Sequence, residues 1–353
     1  MQTSFRATST QLAHARAMLF QSTARLLDHG FEKTDLQLLV QFVPSEAEKC
    51  LDRAEEAARH YDLFGRNVLP FASSYLEATG QLGGIVSDFC LSTYSDSGFA
   101  ADLSAASPDH FSVIFDFLAH LSRVEAAGDP NAAGIARSEG RAFVNHFLLA
   151  AFHPFMRAVG RHRDTRYAAV LSGVWEVLLD YAGHSDDSAT ERWGVRDLLF
   201  ESGLEHEAPP TALPADDDLD IDLDDPNAKI RHIAAYLTNC ARCGLYLSQT
   251  DMANLGAAHD IPRGFGSRTD TLENLMHSAI ALEGLEELLG ELRSLIQEER
   301  DTLRTLVAGL SATALSGPHP SFSLDHLSTR LDATRRVVDR IATEAAQASV
   351  DRD

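Results

Sequence analysis

The chain contains only four cysteines, and they are scattered through its 353 residues. Small secreted proteins that depend on disulfides carry many closely spaced cysteines, so a disulfide framework is excluded and reduced thiols are expected. No apolar run approaches the roughly 20 residues of a membrane-spanning helix. The N-terminal sequence also lacks the charged start, apolar block and small-residue cleavage site of a secretory signal. We therefore expect a cytoplasmic protein that does not insert into a membrane.

Basic residues are also scarce. The 30 Lys and Arg residues stand against 52 Asp and Glu residues, which gives a formal net charge of −22. Proteins that bind nucleic acids need Lys and Arg to displace the counterions of the phosphates, so this class of function is excluded. A charged partner is expected to be basic. Adaptation of the whole composition to a salt-rich or GC-rich source explains the charge equally well.

Apolar residues make up 44% of the chain, which is enough for a substantial core. They recur every three or four residues, the spacing of amphipathic helices. Ser107 followed by Pro108 is a typical helix start, because proline is tolerated at the first helical position. No strand pair or hairpin turn is indicated, so the predicted fold class is all-α. Helices are predicted at residues 12–29, 45–64, 69–94, 107–126, 138–161 and 165–181.

Residues 205–227 differ sharply in composition from the rest of the chain. Three prolines are followed by seven aspartates between Asp216 and Asp225. Such a run of like charges has no core-forming face, so an extended acidic linker is predicted. A calcium loop is disfavoured, because Leu223 and Lys229 stand where that loop needs Gly and Glu. The predicted domains are a helical domain at 1–190, the linker at 205–227 and a C-terminal helical region at 228–353.

The C-terminal region contains a heptad pattern of apolar residues. It begins at Leu275 and continues through Leu282, Leu289, Ile296, Leu303 and Leu310. A heptad repeat predicts one long helix with a narrow apolar seam. A Pro- and Gly-containing break follows, and a second apolar helix is predicted from about Ser323. The two helices are expected to form an antiparallel hairpin over residues 270–347.

Two segments carry a family resemblance, residues 60–84 (HYDLFGRNVLPFASSYLEATGQLGG) and residues 107–121 (SPDHFSVIFDFLAHL). They resemble the TorD-like (TorD/DmsD/NarJ type) chaperones, in which a Tyr and a Phe precede a Pro-aromatic-x-Ser-x-Tyr segment and Pro-Asp-His opens a later helix. The likeness extends over about residues 12–185. The matching residues are Tyr61, Phe64, Pro70, Phe71, Ser73, Tyr75, Pro108, Asp109, His110, Phe117, Leu118 and Leu121. The departures are Ile114, Phe147 and Ala151, which replace the family's usual Glu, His and Trp.

The resemblance implies a TorD-like all-helical chaperone without catalytic activity. Such a chaperone binds the twin-arginine signal peptide, or the apo form, of a molybdenum-containing redox enzyme and assists its cofactor insertion and maturation before export. The implied partner is the precursor or catalytic subunit of a molybdopterin-dependent oxidoreductase. No cofactor or metal of the chaperone's own is expected. Asp109 and His110 are the residues that the resemblance assigns to the binding surface.

The spacing within the second segment suggests how such a surface is built. Asp116 lies seven residues after Asp109, almost two helical turns, so both carboxylates are expected on one exposed face together with Phe117. Carboxylates bind guanidinium groups well, and Phe71 and Tyr75 are expected to line the same groove. The alternative is that the acid and histidine at the helix start only cap it and that the aromatics belong to the core. The candidate binding residues are Asp109, His110, Asp116, Phe117, Phe71, Tyr75 and Pro108.

Cys240 and Cys243 form a C-x-x-C pair, a pattern that binds metals or exchanges disulfides in other proteins. No recognised set of four ligands accompanies the pair, and on a helix the two thiols share one face and can simply pack. Phosphate loops, G-x-S-x-G elbows and H-E-x-x-H pairs are absent, so no enzyme is predicted. Two alternatives to a chaperone remain: a scaffold that self-associates through the C-terminal hairpin, and a thiol- or metal-dependent factor.

Overall fold

A computed structural model describes residues 8–32, 52–104, 106–182, 226–262, 264–309 and 323–350. These residues are helical, and the β structure among them is a single isolated bridge, so the all-α prediction is confirmed. The helices of the N-terminal part are α1 (Ser9–His29), α2 (Arg53–His60, continued by a π-helix at Tyr61–Asn67), α3 (Ser73–Leu76), α4 (Gly84–Asp96), α5 (Phe111–Ala126), α6 (Pro130–Phe143, continued by a π-helix at Val144–Leu148), α7 (Leu149–Gly160) and α8 (Thr165–Ala182). Those of the C-terminal part are α9 (Pro226–Thr238), α10 (Cys240–Cys243), α11 (Gln249–Ala257), α12 (Arg268–Ala281), α13 (Leu285–Gly309) and α14 (Leu324–Val350).

Several predicted helices differ from the structure, and the one expected over residues 138–161 begins earlier, at Pro130. The helix expected over residues 69–94 is divided into α3 and α4, because Gly80 and Gly83 between them adopt positive φ angles that a helix does not use. The helix expected from Ser107 begins only at Phe111. The acidic linker lies outside the described residues, except for its last two positions, which open α9.

The core of the N-terminal part is rich in aromatic rings. Helix α1 lies along α5, where Phe20 contacts Phe115 with ring centroids 5.9 Å apart. Phe111 contacts Phe152 and Phe155 of α7, and all these rings are fully buried. Because burying such a side chain contributes about 1.5–3 kcal/mol, this cluster holds α1, α5 and α7 in place around the two motif segments.

Helices α13 and α14 lie antiparallel to each other. Arg293 pairs with Asp339, and Arg300 pairs with Asp332, so later residues of one helix meet earlier residues of the other. Their apolar seam is buried within this chain. Its buried residues are Leu289, Leu292, Ile296, Leu303, Leu327, Leu331 and Val338.

The heptad pattern nevertheless misplaced the start of the long helix. The chain breaks between α12 and α13, where Glu283 has a φ of 58° and Leu282 is 58% exposed. Leu275 therefore lies in α12, and the long helix starts at Leu285. Gly284 allows the close turn, since a Cβ there would lie 3.1 Å from Ile261.

The C-terminal part packs directly on α7. Arg161 makes ion pairs with Asp251 at 3.0 Å and with Glu299 at 2.5 Å, and it donates to the carbonyl oxygen of Tyr246 at 2.6 Å. Arg157 also pairs with Glu299, at 3.0 Å. Described residues of both parts form one continuous hydrophobic cluster. Among the described helices, none has the length and apolar character needed to cross a membrane.

Candidate functional site

The two segments that carry the family resemblance contact each other in the fold. The backbone N–H of Ala72 donates to the carbonyl oxygen of Asp109 at 2.8 Å, and the N–H of Phe111 donates to that of Pro70, also at 2.8 Å. Phe71 and His110 thereby form an isolated antiparallel bridge. Segments that are far apart in sequence are thus joined into one unit, which we call the motif clamp (residues 67–78 and 107–111).

Asp109 is the centre of the motif clamp. Its side chain accepts hydrogen bonds from the Ser73 N–H at 3.1 Å, from the Ser73 hydroxyl at 2.5 Å and from the Ser107 hydroxyl at 2.6 Å. The Ser73 oxygen in turn accepts from the N–H of Gly83 at 3.0 Å. Asp109 is completely buried, so the prediction that it lies on an exposed helical face is wrong. The reason is that Asp109 precedes α5 and does not share that helix with Asp116.

His110 caps α5, as the alternative interpretation of this position expected. Its Nδ1 accepts from the N–H of Ser112 at 3.1 Å and lies 2.6 Å from the Ser112 hydroxyl. The imidazole packs edge-on against the ring of Phe71, with centroids 4.9 Å apart. Burial lowers the pKa of His110 to about 4, so the ring is neutral near neutral pH. A neutral ring can accept the capping hydrogen bond, whereas a doubly protonated imidazolium cannot.

Tyr75 and Phe117 belong to the core, so the expectation that Tyr75 lines a groove and the expectation that Phe117 lies on an exposed face are both wrong. Tyr75 is 1% exposed, and its hydroxyl donates to the carbonyl oxygen of Leu69 at 2.9 Å. Phe117 is fully buried against Tyr94, with ring centroids 4.9 Å apart. Phe117 faces inward because the buried stripe of α5 is wider than the sequence pattern indicated, and Tyr75 of α3 packs against Phe111 and Phe155.

The remaining candidates are Phe71 and Pro108 of the motif clamp and Asp116 of α5. Phe71, Pro108 and Asp116 are each partly exposed. The side chain of Gln21 on α1 donates to Asp116 at 2.5 Å. Burial raises the pKa of Asp116, and the nearby carboxylate of Asp28 raises it further.

Asp28 was missed by the sequence reasoning. It lies at the end of α1, its side chain is 37% exposed, and its nearest partner is His29 at 3.1 Å. The negative charge of Asp28 raises the pKa of both His110 and Asp116, although burial has the larger effect on each. No sequence pattern signals this interaction, because it arises from the packing of α1 on α5.

The C-x-x-C pair is buried. Cys240 and Cys243 are both unexposed free thiols, and the Cys243 Sγ contacts the carbonyl oxygens of Leu237 at 3.4 Å and Leu245 at 3.1 Å. Burial raises the pKa of Cys240 and raises that of Cys243 to about 11. Within the described ranges, no group of three or more His, Cys, Asp or Glu side chains is arranged to hold a metal ion.

We expect both thiols to resist alkylation in the folded protein. The thiolate is the reactive form, and a raised pKa lowers its population at mildly alkaline pH. Iodoacetamide followed by peptide mass spectrometry measures the result, with the Cys50→Ser variant used to remove the cysteine that lies outside the described residues. Modification is expected only after denaturation. Rapid labelling of Cys240 or Cys243 in the native protein would contradict this prediction.

The described residues form an all-helical fold in which the two segments that resemble the TorD-like chaperones contact each other. The family model described as nitrate reductase delta subunit matches residues 26–157, which confirms the resemblance over that part of the chain. This is a family of chaperones that mature molybdenum-containing enzymes and is not a catalytic family. Comparisons with curated proteins and with solved structures gave no match.

Proposed function

We propose that this protein is a cytoplasmic, non-catalytic chaperone that binds the twin-arginine signal peptide or the apo form of a molybdenum-containing redox enzyme. In this role it assists cofactor insertion and maturation before export. The observation that supports the proposal most directly is the motif clamp. It lies within the region that matches the nitrate reductase delta subunit family, and it joins the two segments that carry the resemblance.

The surface residues of the motif clamp, together with the carboxylates of α1 and α5, have the chemistry that such a peptide requires. Asp116 and Asp28 supply carboxylates, which form charge-assisted hydrogen bonds with guanidinium groups. Phe71 and Pro108 supply partly exposed apolar surface for the residues that follow the arginines in a signal peptide. The net charge of −22 also favours a basic partner by long-range attraction.

The buried candidates have a different role in this proposal. Asp109, His110, Tyr75 and Phe117 fix the shape of the motif clamp and of α5, and they do not contact the peptide themselves. A substitution at Asp109 would therefore disturb folding and binding together. Tests of recognition are better made at Asp116 and Phe71, whose side chains reach the surface.

We expect twin-arginine signal peptides to bind the full-length chain, with about tenfold weaker affinity for Asp116→Asn, equivalent to roughly 1.4 kcal/mol. Calorimetric titration measures the affinity. Phe71→Ala is also expected to weaken binding, through loss of apolar contact. Glu287→Gln, which neutralises an exposed carboxylate of α13, serves as the matched control and should bind normally.

Salt and peptide sequence provide two further controls. Binding should weaken with added salt, because partly exposed charge pairs are screened. Replacing the paired arginines of the peptide by glutamines should abolish the dependence on Asp116. If a folded protein binds none of these peptides, or if Glu287→Gln weakens binding as much as Asp116→Asn, recognition at this surface is excluded.

The scaffold alternative is less well supported. It required the seam of the C-terminal hairpin to pair with another chain, but Leu289, Ile296, Leu303 and Val338 are already buried by contacts within this one. Breaking that seam would therefore be expected to destabilise the monomer itself.

A further inference from the structure

The motif clamp is held in part by residues outside the family match. Its first half, residues 67–78, begins beside Tyr246 of the C-terminal part, whose side chain is 1% exposed. The Tyr246 hydroxyl accepts from the N–H of Leu69 at 3.1 Å and donates to the carbonyl oxygen of Asn67 at 3.3 Å. One hydroxyl group therefore satisfies two backbone groups immediately before Pro70 and Phe71.

Further contacts hold both ends of the same half. At its far end, the side chains of Asn239 and Arg242 both donate to the carbonyl oxygen of Ala78, at 3.0 and 2.9 Å. At its near end, the N–H and the hydroxyl of Thr250 donate to the Asn67 side-chain oxygen, at 3.1 and 2.8 Å. Residues 239–250 thus bracket the half of the motif clamp that carries Phe71.

Tyr246 is itself fixed from several directions. Its ring lies 5.1 Å from that of Tyr75, the buried tyrosine of the motif clamp. The guanidinium of Arg268 lies over the Tyr246 ring at 4.3 Å, and Arg161 donates to its carbonyl oxygen at 2.6 Å. Because Tyr246 is restrained in this way, its hydroxyl fixes the position of the Leu69 backbone relative to the C-terminal part.

We propose that residues 239–250, with Tyr246 as the principal positioning residue, belong to the peptide-recognition site, because they hold residues 67–78 in the conformation that presents Phe71. This inference rests on the proposed function. The family match ends at residue 157, so the matched region alone does not contain the whole site. Residues 239–250 act through the backbone of the motif clamp and do not touch the peptide.

Tyr246→Phe tests this inference, because it keeps the ring and removes only the hydroxyl. The Leu69 N–H and the Asn67 carbonyl then lose a buried partner, which weakens the restraint on the backbone before Pro70 and Phe71. We expect up to about tenfold weaker binding of a twin-arginine signal peptide to the full-length protein. Hydrogen exchange at the Leu69 amide should be faster in the same variant.

The matched control is Tyr236→Phe. Tyr236 is also a buried tyrosine of the C-terminal part, but its hydroxyl pairs with Thr334 of α14 at 2.8 Å, away from the motif clamp. Thermal unfolding of both variants shows whether weaker binding comes from lower overall stability or from displacement of residues 67–78. Weaker binding and faster Leu69 exchange in Tyr246→Phe alone would support the inference.

The remaining outcomes are distinguishable. Equal effects of Tyr246→Phe and Tyr236→Phe on binding would show a general loss of stability and overturn the inference. Unchanged binding by Tyr246→Phe, with an unmodified chain that binds the peptide, would overturn it while leaving the proposed function intact. If the unmodified chain binds no peptide, the proposed function fails and the role in recognition fails with it, whereas Leu69 exchange still reports whether Tyr246 positions the segment.

Discussion

Replacing Asp109 by alanine is expected to lower the free energy of unfolding by about 3–5 kcal/mol. The substitution removes the acceptor of three hydrogen bonds, from the Ser73 N–H, the Ser73 hydroxyl and the Ser107 hydroxyl. Each donor that is left buried without a partner costs about 1–3 kcal/mol, with the rotatable hydroxyls at the lower end. Urea unfolding followed by circular dichroism measures the change.

Asp116→Ala is the control for this prediction. Asp116 lies seven residues further along, is partly exposed and accepts one hydrogen bond, from Gln21. Its replacement should cost less than about 1 kcal/mol. A small effect at Asp109, similar to that at Asp116, would mean that the motif clamp does not depend on this carboxyl group. A large effect confined to Asp109 would identify it as a structural residue.

Replacing Arg161 by methionine is the second large effect, and we expect about 3–5 kcal/mol of destabilisation. Arg161 bridges α7 to the C-terminal part through Asp251 and Glu299, whose side chains are only 5% and 6% exposed. Methionine fills a similar volume, but it removes the positive charge that pairs with these two buried carboxylates. Arg157 still pairs with Glu299, so we expect most of the destabilisation to come from the unpaired carboxylate of Asp251.

The expected consequence is partial release of the C-terminal part. Hydrogen exchange should accelerate around Tyr246 and α11, and chemical unfolding should begin at lower denaturant concentration. Arg163→Met is a close control, since Arg163 is 81% exposed and pairs with the partly exposed Asp62. That variant should change stability by no more than about 0.5 kcal/mol. Equal effects at Arg161 and Arg163 would argue against a buried ionic bridge.

Local sequence patterns predicted most helices because helical spacing is a property of neighbouring residues. The helices over 12–29 and 165–181 were placed within a few residues of α1 and α8. The errors occurred where glycine or a cap overrode apolar spacing, as between α3 and α4 and at Phe111. The long helix predicted from Leu275 also begins too early, because the chain turns at Glu283, which has a φ of 58°, before α13 starts at Leu285.

The candidate site was only partly predictable. The motif residues were identified by resemblance. Their exposure could not be predicted, because burial depends on which other elements cover a helix. Asp109 and Phe117 were expected at the surface and are buried, while Asp28 was not considered and acts electrostatically on His110 and Asp116. The contacts of Tyr246 could not be predicted either, since almost 180 residues separate it from the backbone groups that it contacts.

The sequence by itself determined an all-helical, strongly acidic protein with TorD-like motif segments. These properties follow from composition, periodicity and local residue order, none of which requires knowledge of distant contacts. Only the tertiary structure decided that the motif segments form a clamp around Asp109, that the C-x-x-C thiols are buried, and that the C-terminal part holds the clamp through Tyr246 and Arg161. These features depend on long-range packing and on the need of each buried polar group for a partner, so they appear only when the chain is folded.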